Sequence, residues 1–199
     1  MARDAAFRYR TIDVVTVAML GVAIGVAFWG WSQLYQVLSA LSAFAFPPTS
    51  GLFGGAWLLG GVVGGLVVRK PGAALVTELV AASVEALLGN SWGLSTVVSG
   101  GLQGLGVELV LAVFLWKRFG LVVAALGAAV AAAFESVYEW QVYYPDWALP
   151  YQLAHLGFFV VSGVVIAGLG GWALVRGLAG TGALDAFGPG QEHHERTAV

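Results

Sequence analysis

The stretch IDVVTVAMLGVAIGVAFWGWSQL, residues 12–34, is apolar over nearly its whole length. An α-helix rises about 1.5 Å per residue, so about 20 apolar residues cross the hydrocarbon core of a bilayer. The stretch therefore predicts a membrane-spanning helix. Further apolar runs follow over residues 52–68, 72–89, 94–116, 120–141 and 151–175. The third of the six runs is the weakest prediction, because it is short and is interrupted by Glu78 and Glu85.

The composition agrees with a protein embedded in lipid. Hydrophobic residues make up 59% of the 199 residues, charged residues make up 10%, and the mean hydropathy is +0.84. Such a chain has too few polar side chains to cover a water-exposed surface. The sequence therefore predicts an all-α integral membrane protein, with a bundle of six transmembrane helices over residues 12–178. Residues 1–11 are expected to form a cytoplasmic N-terminus, and residues 179–199 a cytoplasmic tail that is partly disordered.

The positions of the basic residues predict the orientation of the chain. All nine lysine and arginine residues lie in the N-terminal segment, in the loops after the second and fourth runs, or towards the C-terminal end. Because positively charged loops stay on the cytoplasmic side, this pattern predicts that both termini are cytoplasmic and that the protein is a multi-pass protein of the inner (cytoplasmic) membrane. A cleavable signal peptide in residues 1–30 is disfavoured, because the apolar run exceeds the usual ~7–15 residues.

Polar and aromatic side chains gather at one level of the predicted bundle. Counting about 1.5 Å per residue from the basic loops places Glu85, Gln103 and Glu135 in the outer half of the membrane. The same count places other polar or aromatic residues near the outer boundary of the membrane. Together they predict a substrate-binding site close to the outer face, formed by Glu85, Gln103, Glu135, Glu139, Trp29, Tyr35, Trp57, Asn90, Tyr138 and His155.

Carboxylates inside the spans indicate the kind of ligand. An ionised carboxylate in the membrane costs at least ~2.5 kcal/mol, and the span interiors contain no basic residue to pair with one. Protons or neighbouring hydrogen-bond donors could satisfy these groups, and so could a cationic or amine-bearing organic ligand, which tryptophan and tyrosine faces also attract. The pattern favours such a ligand. Glu139 could instead be surface-exposed, and Glu78 and Glu108 could hold helices together or take part in coupling.

Small residues spaced four apart predict close helix packing. Gly21 and Gly25, with Ala23 and Ala27 beside them, form such a face in the first run. We expect this face to dock a partner membrane protein, and packing within the bundle is the alternative. The second run has similar faces, which could also pack inside the bundle, at Gly60, Gly61, Gly64 and Gly65.

Several kinds of function are excluded by residues that the sequence lacks. Without cysteine there are no disulfides, thiolate metal sites or cysteine nucleophiles. The run GGLQGLGVE, residues 100–108, follows no strand and lacks the GK[ST] ending of an ATP-binding loop. The span interiors also lack an aspartate pair, a serine–histidine dyad and a histidine–aspartate metal cluster. We therefore expect no enzymatic activity, no metal or cofactor, and the lipid bilayer rather than nucleic acid as the surroundings.

One block of the sequence is specific enough to indicate a family. Residues 69–110, RKPGAALVTELVAASVEALLGNSWGLSTVVSGGLQGLGVELV, followed by ESVYE and by ALVRGLAGTGALDAFG, resemble the YkoE family, and the likeness covers roughly residues 12–188. Its members are substrate-binding S-components of energy-coupling factor (ECF) transporters, assigned to thiamine or its hydroxymethylpyrimidine precursor. The resemblance implies a six-helix membrane protein that captures the vitamin near the outer surface. It also implies a transmembrane coupling subunit and two cytoplasmic ATPase subunits as partners.

Thiamine suits the predicted site, because its thiazolium is a permanent cation and its aminopyrimidine can stack on aromatic rings. Thiamine and hydroxymethylpyrimidine share the same pyrimidine, so the sequence leaves the choice between them open. The alternative function is a stand-alone proton- or cation-coupled carrier for a cationic organic solute, which would also use buried glutamates. Copurifying ATPases would support the first function, and uptake by this chain alone in proteoliposomes would support the second.

Overall fold

The computed structural model describes residues 7–197, which form a bundle of helices. Residues 1–6 and 198–199, parts of the predicted termini, lie outside the described residues. The helices, numbered along the chain, are α1 Thr11–Ser39, α2 Pro47–Val68, α3 Ala73–Leu88, α4 Ser95–Val113, α5 Leu121–Val142, α6 Leu149–Gly180 and α7 Gly188–Thr197. Residues 7–197 contain no β-strand.

Five of these helices, α1, α2, α4, α5 and α6, are long and apolar enough to cross a membrane, by length and composition. This confirms the all-α, membrane-type architecture predicted from hydropathy. The third predicted span is the helix α3, of 16 residues. It is bounded by Gly72 and Gly89, whose φ angles of 87° and 90° are ones that glycine adopts without steric cost. The count of six spans stays a prediction.

Two of the long helices are irregular. In α2, 3₁₀ turns at Pro47–Ser50 and Gly55–Leu58 precede the α-helical part Leu59–Val68. In α6, a π-helical segment at Gly163–Gly170 separates two α-helical parts. At the junction in α2 the backbone N–H of Leu59 donates to the carbonyl of Ala56 in the 3₁₀ turn.

α3 lies between α1, α2 and α4 and packs against all three. Small residues on its neighbours make this close approach possible. A Cβ atom on Gly64 of α2 would collide with the side chain of Thr77, and one on Gly104 of α4 would lie 2.9 Å from the Cβ of Glu78. The surrounding helices bury Glu78 and Glu85 completely. Polar side chains of α3 are thus shielded from lipid.

The docking face predicted on the first run is divided by the structure. A Cβ atom on Gly21 would lie 2.6 Å from the Cβ of Val80, and one on Gly25 would lie 2.6 Å from the carbonyl oxygen of Ala81. Both glycines are therefore packed against α3, which corrects the expectation that they dock a partner. The spacing of small residues marks a close-packing face but does not say which helix occupies it. Ala23 and Ala27 are exposed on another side of α1, and their docking role stays a prediction.

One end of the bundle, which we call the basic end, gathers the start of α1, the α2–α3 and α4–α5 loops, and α7. Asp13 is buried there between Lys70, whose Nζ is 2.5 Å from Oδ2, and Arg10, whose Nη2 is 2.8 Å from Oδ1. Arg69 binds Glu192 of α7 through both carboxylate oxygens, at 2.5 and 2.9 Å. The tail that was expected to be partly disordered therefore contains a helix that is fastened to the end of α2.

Candidate ligand-binding site

A cavity lies inside the bundle, away from the basic end, and the space between its lining atoms, including the part that opens to solvent, is about 470 Å³. All six helices from α1 to α6, or the loops at their ends, contribute to the wall, and the wall contains no lysine or arginine. The residues that line it are Phe28, Trp57, Glu78, Ala82, Glu85, Trp92, Thr96, Ser99, Gln103, Glu135, Glu139, Tyr143 and Phe159.

Glu85 of α3 is fixed by donors from two other helices. Its Oε1 accepts hydrogen bonds from the Ser32 hydroxyl of α1 and from Trp57 Nε1 of α2, the latter at 3.1 Å. Ser32 is itself buried. Two donors on one oxygen set the orientation of the carboxyl group and leave its other oxygen for a different partner.

Glu78 lies two turns before Glu85, and seven-residue spacing puts both side chains on one face of α3. Its Oε2 accepts a hydrogen bond from the backbone N–H of Gly61. Gly61 lies just after the change from 3₁₀ to α-helix in α2, and its N–H ties this carboxyl group of α3 to α2. A Cβ atom on Gly60 would lie 2.7 Å from Glu78 Oε2, so a larger residue there would displace this carboxyl group.

Glu135 of α5 is held by a short chain of hydrogen bonds from α4. Gln103 Nε2 donates to the Ser99 hydroxyl at 2.9 Å, and the Ser99 hydroxyl donates to Glu135 Oε1. Ser99 and Gln103 are four residues apart and therefore lie on one face of α4. This relay fixes one oxygen of Glu135, as Ser32 and Trp57 do for Glu85.

The remaining oxygens of these three glutamates define the chemistry of the site. Glu78 Oε1, Glu85 Oε2 and Glu135 Oε2 are buried and have no hydrogen-bond partner among the described residues. A buried acceptor without a donor costs about 1–3 kcal/mol. The arrangement therefore suits a ligand that brings several N–H or O–H donors, or a positive charge. Within residues 7–197, no group of three or more histidine, cysteine, aspartate or glutamate residues could hold a metal ion.

Glu139 lines the same cavity in front of a fully buried histidine. Nε2 of His155 lies 3.2 Å from Glu139 Oε2, although the two atoms are not aligned as a hydrogen bond. Trp140 Nε1 lies 3.3 Å from His155 Nδ1 and donates to it. Because Nδ1 is an acceptor, the proton of a neutral ring belongs on Nε2, on the side of Glu139. His155 thus lies behind Glu139 rather than in the cavity wall.

Aromatic rings form the part of the wall nearest the α1–α2 and α3–α4 loops. The rings of Trp57 and Trp92 lie edge to face at 5.6 Å, and the rings of Tyr35 and Trp57 do so at 5.7 Å. Both tryptophans also line an adjoining cavity of about 320 Å³, together with Tyr35. Such faces stack on flat heterocycles and attract cations, each contact contributing about 0.5–2 kcal/mol.

Two tyrosines just after the end of α5 remain protonated. Burial raises the pKa of Tyr143 to about 12, and burial also raises the pKa of Tyr144. The hydroxyl of Tyr143 lies 2.7 Å from the Ser95 hydroxyl. At neutral pH these phenols are therefore hydrogen-bonding groups without charge.

The structure brings together most of the residues predicted for the site. Glu85, Gln103, Glu135, Glu139 and Trp57 line the cavity, and Tyr35 lines the adjoining one. The others support the site or lie outside it. Trp29 is 38% exposed and donates to the carbonyl of Gly89; Asn90 binds Thr96 and the backbone of the α3–α4 loop; Tyr138 lies 3.5 Å from the Ser95 carbonyl oxygen; and His155 lies behind Glu139.

Some lining residues were not in the predicted set. They are Phe28, Glu78, Ala82, Trp92, Thr96, Ser99, Tyr143 and Phe159. Helical register could have indicated several of them. Glu78 shares a face of α3 with Glu85, and Thr96 and Ser99 share a face of α4 with Gln103. Trp92 and Tyr143 lie in loops, where helical register gives no signal, although the depth count places Trp92 near the outer boundary with Asn90.

Comparison with known proteins agrees with this architecture. A family described as "ABC-type cobalt transport system, permease component" matches residues 12–134. YkoE of Bacillus subtilis (strain 168), a protein named as an HMP/thiamine permease, is 32% identical over 186 residues, which cover 92% of each chain. The chain belongs to the YkoE family. A solved structure described as an S-component of an ECF transporter superposes on this YkoE-family chain with a TM-score of 0.90, at 31% identity, and covers 96% of both chains.

This membership confirms the family that the 69–110 block indicated. As a member of the YkoE family, the protein is a membrane transport protein, an S-component of the ECF type, and not an enzyme. The comparisons do not favour a carrier that works alone. The description of the matching family mentions cobalt. The cavity of this YkoE-family chain is lined by carboxylates and aromatic rings and by no histidine, which is a common ligand of transition metals.

Proposed function

We propose that the protein captures thiamine or its hydroxymethylpyrimidine precursor in the 470 Å³ cavity, as the substrate-binding component of an ATP-driven importer. A transmembrane coupling subunit and two cytoplasmic ATPase subunits would complete the transporter. The name of the B. subtilis relative supports this choice of ligand. The ECF-type relative supports this choice of partners.

The observation that carries the proposal is the set of three half-satisfied glutamates around one cavity. The aminopyrimidine common to both ligands has an exocyclic amine with two N–H donors, and a protonated ring nitrogen adds a third. Carboxylate oxygens accept such bonds more strongly than neutral acceptors do. The thiazolium of thiamine is a permanent cation, which the faces of Trp57 and Trp92 can stabilise.

Orientation and span count belong to the same proposal. We take α3 as the third of six spans and both termini as cytoplasmic, in the inner membrane. The gathering of basic loops at one end supports this orientation, because positively charged loops stay in the cytoplasm. The cavity, which lies away from that end, would then receive its ligand from the outside.

The decisive experiment identifies the ligand directly. The protein is purified in mild detergent, and small molecules released by denaturation are identified by mass spectrometry. Binding of thiamine and of hydroxymethylpyrimidine is then measured by calorimetry, beside a thiamine analogue with a neutral ring in place of the thiazolium. We expect binding of at least one natural ligand, and weaker binding of the analogue by about 1 kcal/mol if cation–π contacts contribute. Failure of both natural ligands to bind would refute the proposal.

A further inference from the structure

A second and larger groove, of about 1,190 Å³, lies at the basic end of the bundle. It is formed by the end of α2, the α4–α5 loop, the last turns of α6, and α7. We call it the basic groove, and the residues used below are Arg69, Lys117, Arg176, Arg196, Trp116 and Trp172. It is separate from the ligand cavity, with which it shares no residue.

The basic groove carries more positive charge than its own residues neutralise. Arg69 is fully engaged, because Glu192 binds both of its terminal nitrogens and the carbonyl of Leu66 accepts from Nε at 3.1 Å. Lys117, Arg176 and Arg196 form no ion pair with any carboxylate in residues 7–197. Uncompensated cations in a groove attract an anion from the surroundings.

The walls of the basic groove are amphipathic. The guanidinium of Arg176 lies over the ring of Trp172 at 4.7 Å, and apolar side chains such as Leu121 and Val175 line the groove beside it. Leu174, on α6 beside Val175, is exposed as well. Tryptophan, arginine and lysine in this combination are typical of the level where lipid headgroups meet the acyl chains.

The turn that presents Lys117 has an uncommon backbone conformation. Leu115 and Trp116, just after α4, both have positive φ, at 55° and 50°. Residues other than glycine populate this left-handed conformation a few-fold to more than tenfold less often than the right-handed one. Trp116 Nε1 donates to Glu108 Oε1 at 2.8 Å, which holds the turn in place. The chain is thus fixed with Lys117 at the edge of the groove.

We propose that the basic groove binds the phosphate headgroup of an anionic phospholipid, with Lys117, Arg176 and Arg196 around the phosphate and the apolar wall beside an acyl chain. Basic pockets between transmembrane helices at this level suit such headgroups. The groove offers charge, hydrogen-bond donors and an apolar surface together. A soluble phosphate would use only the first two.

The test uses the full chain in nanodiscs of phosphatidylcholine with phosphatidylglycerol as a minor component. The protein is released from the nanodiscs in the mass spectrometer, and the lipids that remain bound to it are identified and counted by native mass spectrometry. We expect the wild type to retain phosphatidylglycerol in preference to phosphatidylcholine, and Lys117→Gln and Arg176→Gln each to reduce that preference about fivefold. Arg118→Gln is the matched control, since it removes the same charge from the neighbouring exposed residue, which does not line the groove. Its preference should stay unchanged.

The outcomes separate the proposal from its rivals. An equal loss in Arg118→Gln would mean diffuse surface attraction and would overturn the proposal. Displacement of phosphatidylglycerol by inorganic phosphate, or equal thermal stabilisation by phosphate in pure phosphatidylcholine, would assign the groove to a free anion. Loss of copurifying transporter subunits without loss of phosphatidylglycerol would assign it to a protein. If thermal unfolding shows that Lys117→Gln or Arg176→Gln does not fold, Arg196→Gln, on the exposed helix α7, replaces it in the same assay. It should lower the preference for phosphatidylglycerol, and an unchanged preference would overturn the proposal.

Discussion

Glu85 and Glu135 are alike in one respect that matters for ligand capture. Each has one oxygen held by hydroxyl or indole donors from a neighbouring helix, and one oxygen without a partner. A carboxyl group whose rotation is blocked in this way needs no reorganisation when a ligand arrives. Preorganisation of this kind raises affinity because the ordering cost has already been met in folding.

Replacing either residue by glutamine should therefore weaken ligand binding. In Glu85→Gln or Glu135→Gln one oxygen still accepts from its present donors, but an NH₂ group stands where the free oxygen was. A charged hydrogen bond contributes about 1.5–3 kcal/mol, so we expect affinity for the bound vitamin to fall at least tenfold. Quenching of Trp57 and Trp92 fluorescence would report binding. Glu195→Gln, on exposed α7, is the control, and unchanged affinity in both cavity variants would remove these residues from the site.

The free-energy cost of buried charge singles out Glu85 and Glu135, and counting residues from the basic loops predicts that both lie at one level of the bundle. Both line the same cavity. The count could not give the direction in which a side chain points around its helix. Trp29 and Trp57 fall at one level, yet Trp29 points outwards and Trp57 lines the cavity. Glu78 was outside the predicted site, and its place in the wall depends on tertiary contacts such as the one with Gly61.

At the scale of helices, α3 is the element around which the others are arranged. Hydropathy identified it as a helix in spite of its glutamates, whereas the five helices long enough to span a membrane gave clearer apolar runs. The sequence did not indicate that α2 changes from 3₁₀ to α-helix at Leu58, nor that α6 contains a π-helical segment. Both depend on packing against neighbouring helices. The helix α7 depends on the contact between Glu192 and Arg69, which are far apart in the sequence.

The interface between α1 and α3 leads to a prediction with an internal control. Gly25→Leu would force side-chain atoms into the backbone of α3 at Ala81, and we expect it to destabilise the bundle by about 1–3 kcal/mol or more, with loss of ligand binding. Ala23→Leu adds similar bulk at an exposed position and should leave thermal unfolding and binding intact. If Ala23 contacts the coupling subunit, uptake into cells would fall in this variant although ligand binding is kept. Equal unfolding temperatures in both variants would contradict the packing described for Gly25.

The attachment of α7 should depend on pH. The hydrogen bonds from Arg69 hold the pKa of Glu192 below its usual value of about 4.3. Attachment of α7 therefore favours the ionised form of Glu192. The stabilisation that the Glu192–Arg69 pair gives to this attachment is complete above the usual pKa of glutamate, and it is lost as the pH falls through the lowered pKa of Glu192. Hydrogen exchange of the backbone amides in residues 188–197 reports how firmly α7 is attached. It is compared between wild type and Glu192→Gln at each pH. The two should differ at neutral pH and converge in acid, and a constant difference would contradict the assignment.

For the whole molecule, the absence of cysteine makes the orientation easy to test. Asp146→Cys places a thiol in the α5–α6 loop, and Arg118→Cys places one in the α4–α5 loop; both positions are exposed. With both termini in the cytoplasm, a membrane-impermeant maleimide added to intact cells should label the first variant. The second should react only after the membrane is opened. The reverse pattern would invert the proposed orientation and turn the ligand cavity towards the cytoplasm.

The burial of α3 also constrains how the chain is synthesised. An acidic residue within a membrane helix opposes entry into lipid by roughly 2.5 kcal/mol near the helix centre, and α3 contains Glu78 and Glu85. On the ribosome, α3 emerges before α4, whose Gly100 and Gly104 later cover it. If α3 is the third of six spans, as proposed, we expect the insertion machinery to shelter the nascent α3 until α4 follows, so that the two helices enter as a hairpin. A nascent chain arrested directly after α3 should leave this segment outside the lipid, whereas one arrested after α4 should have both helices inserted.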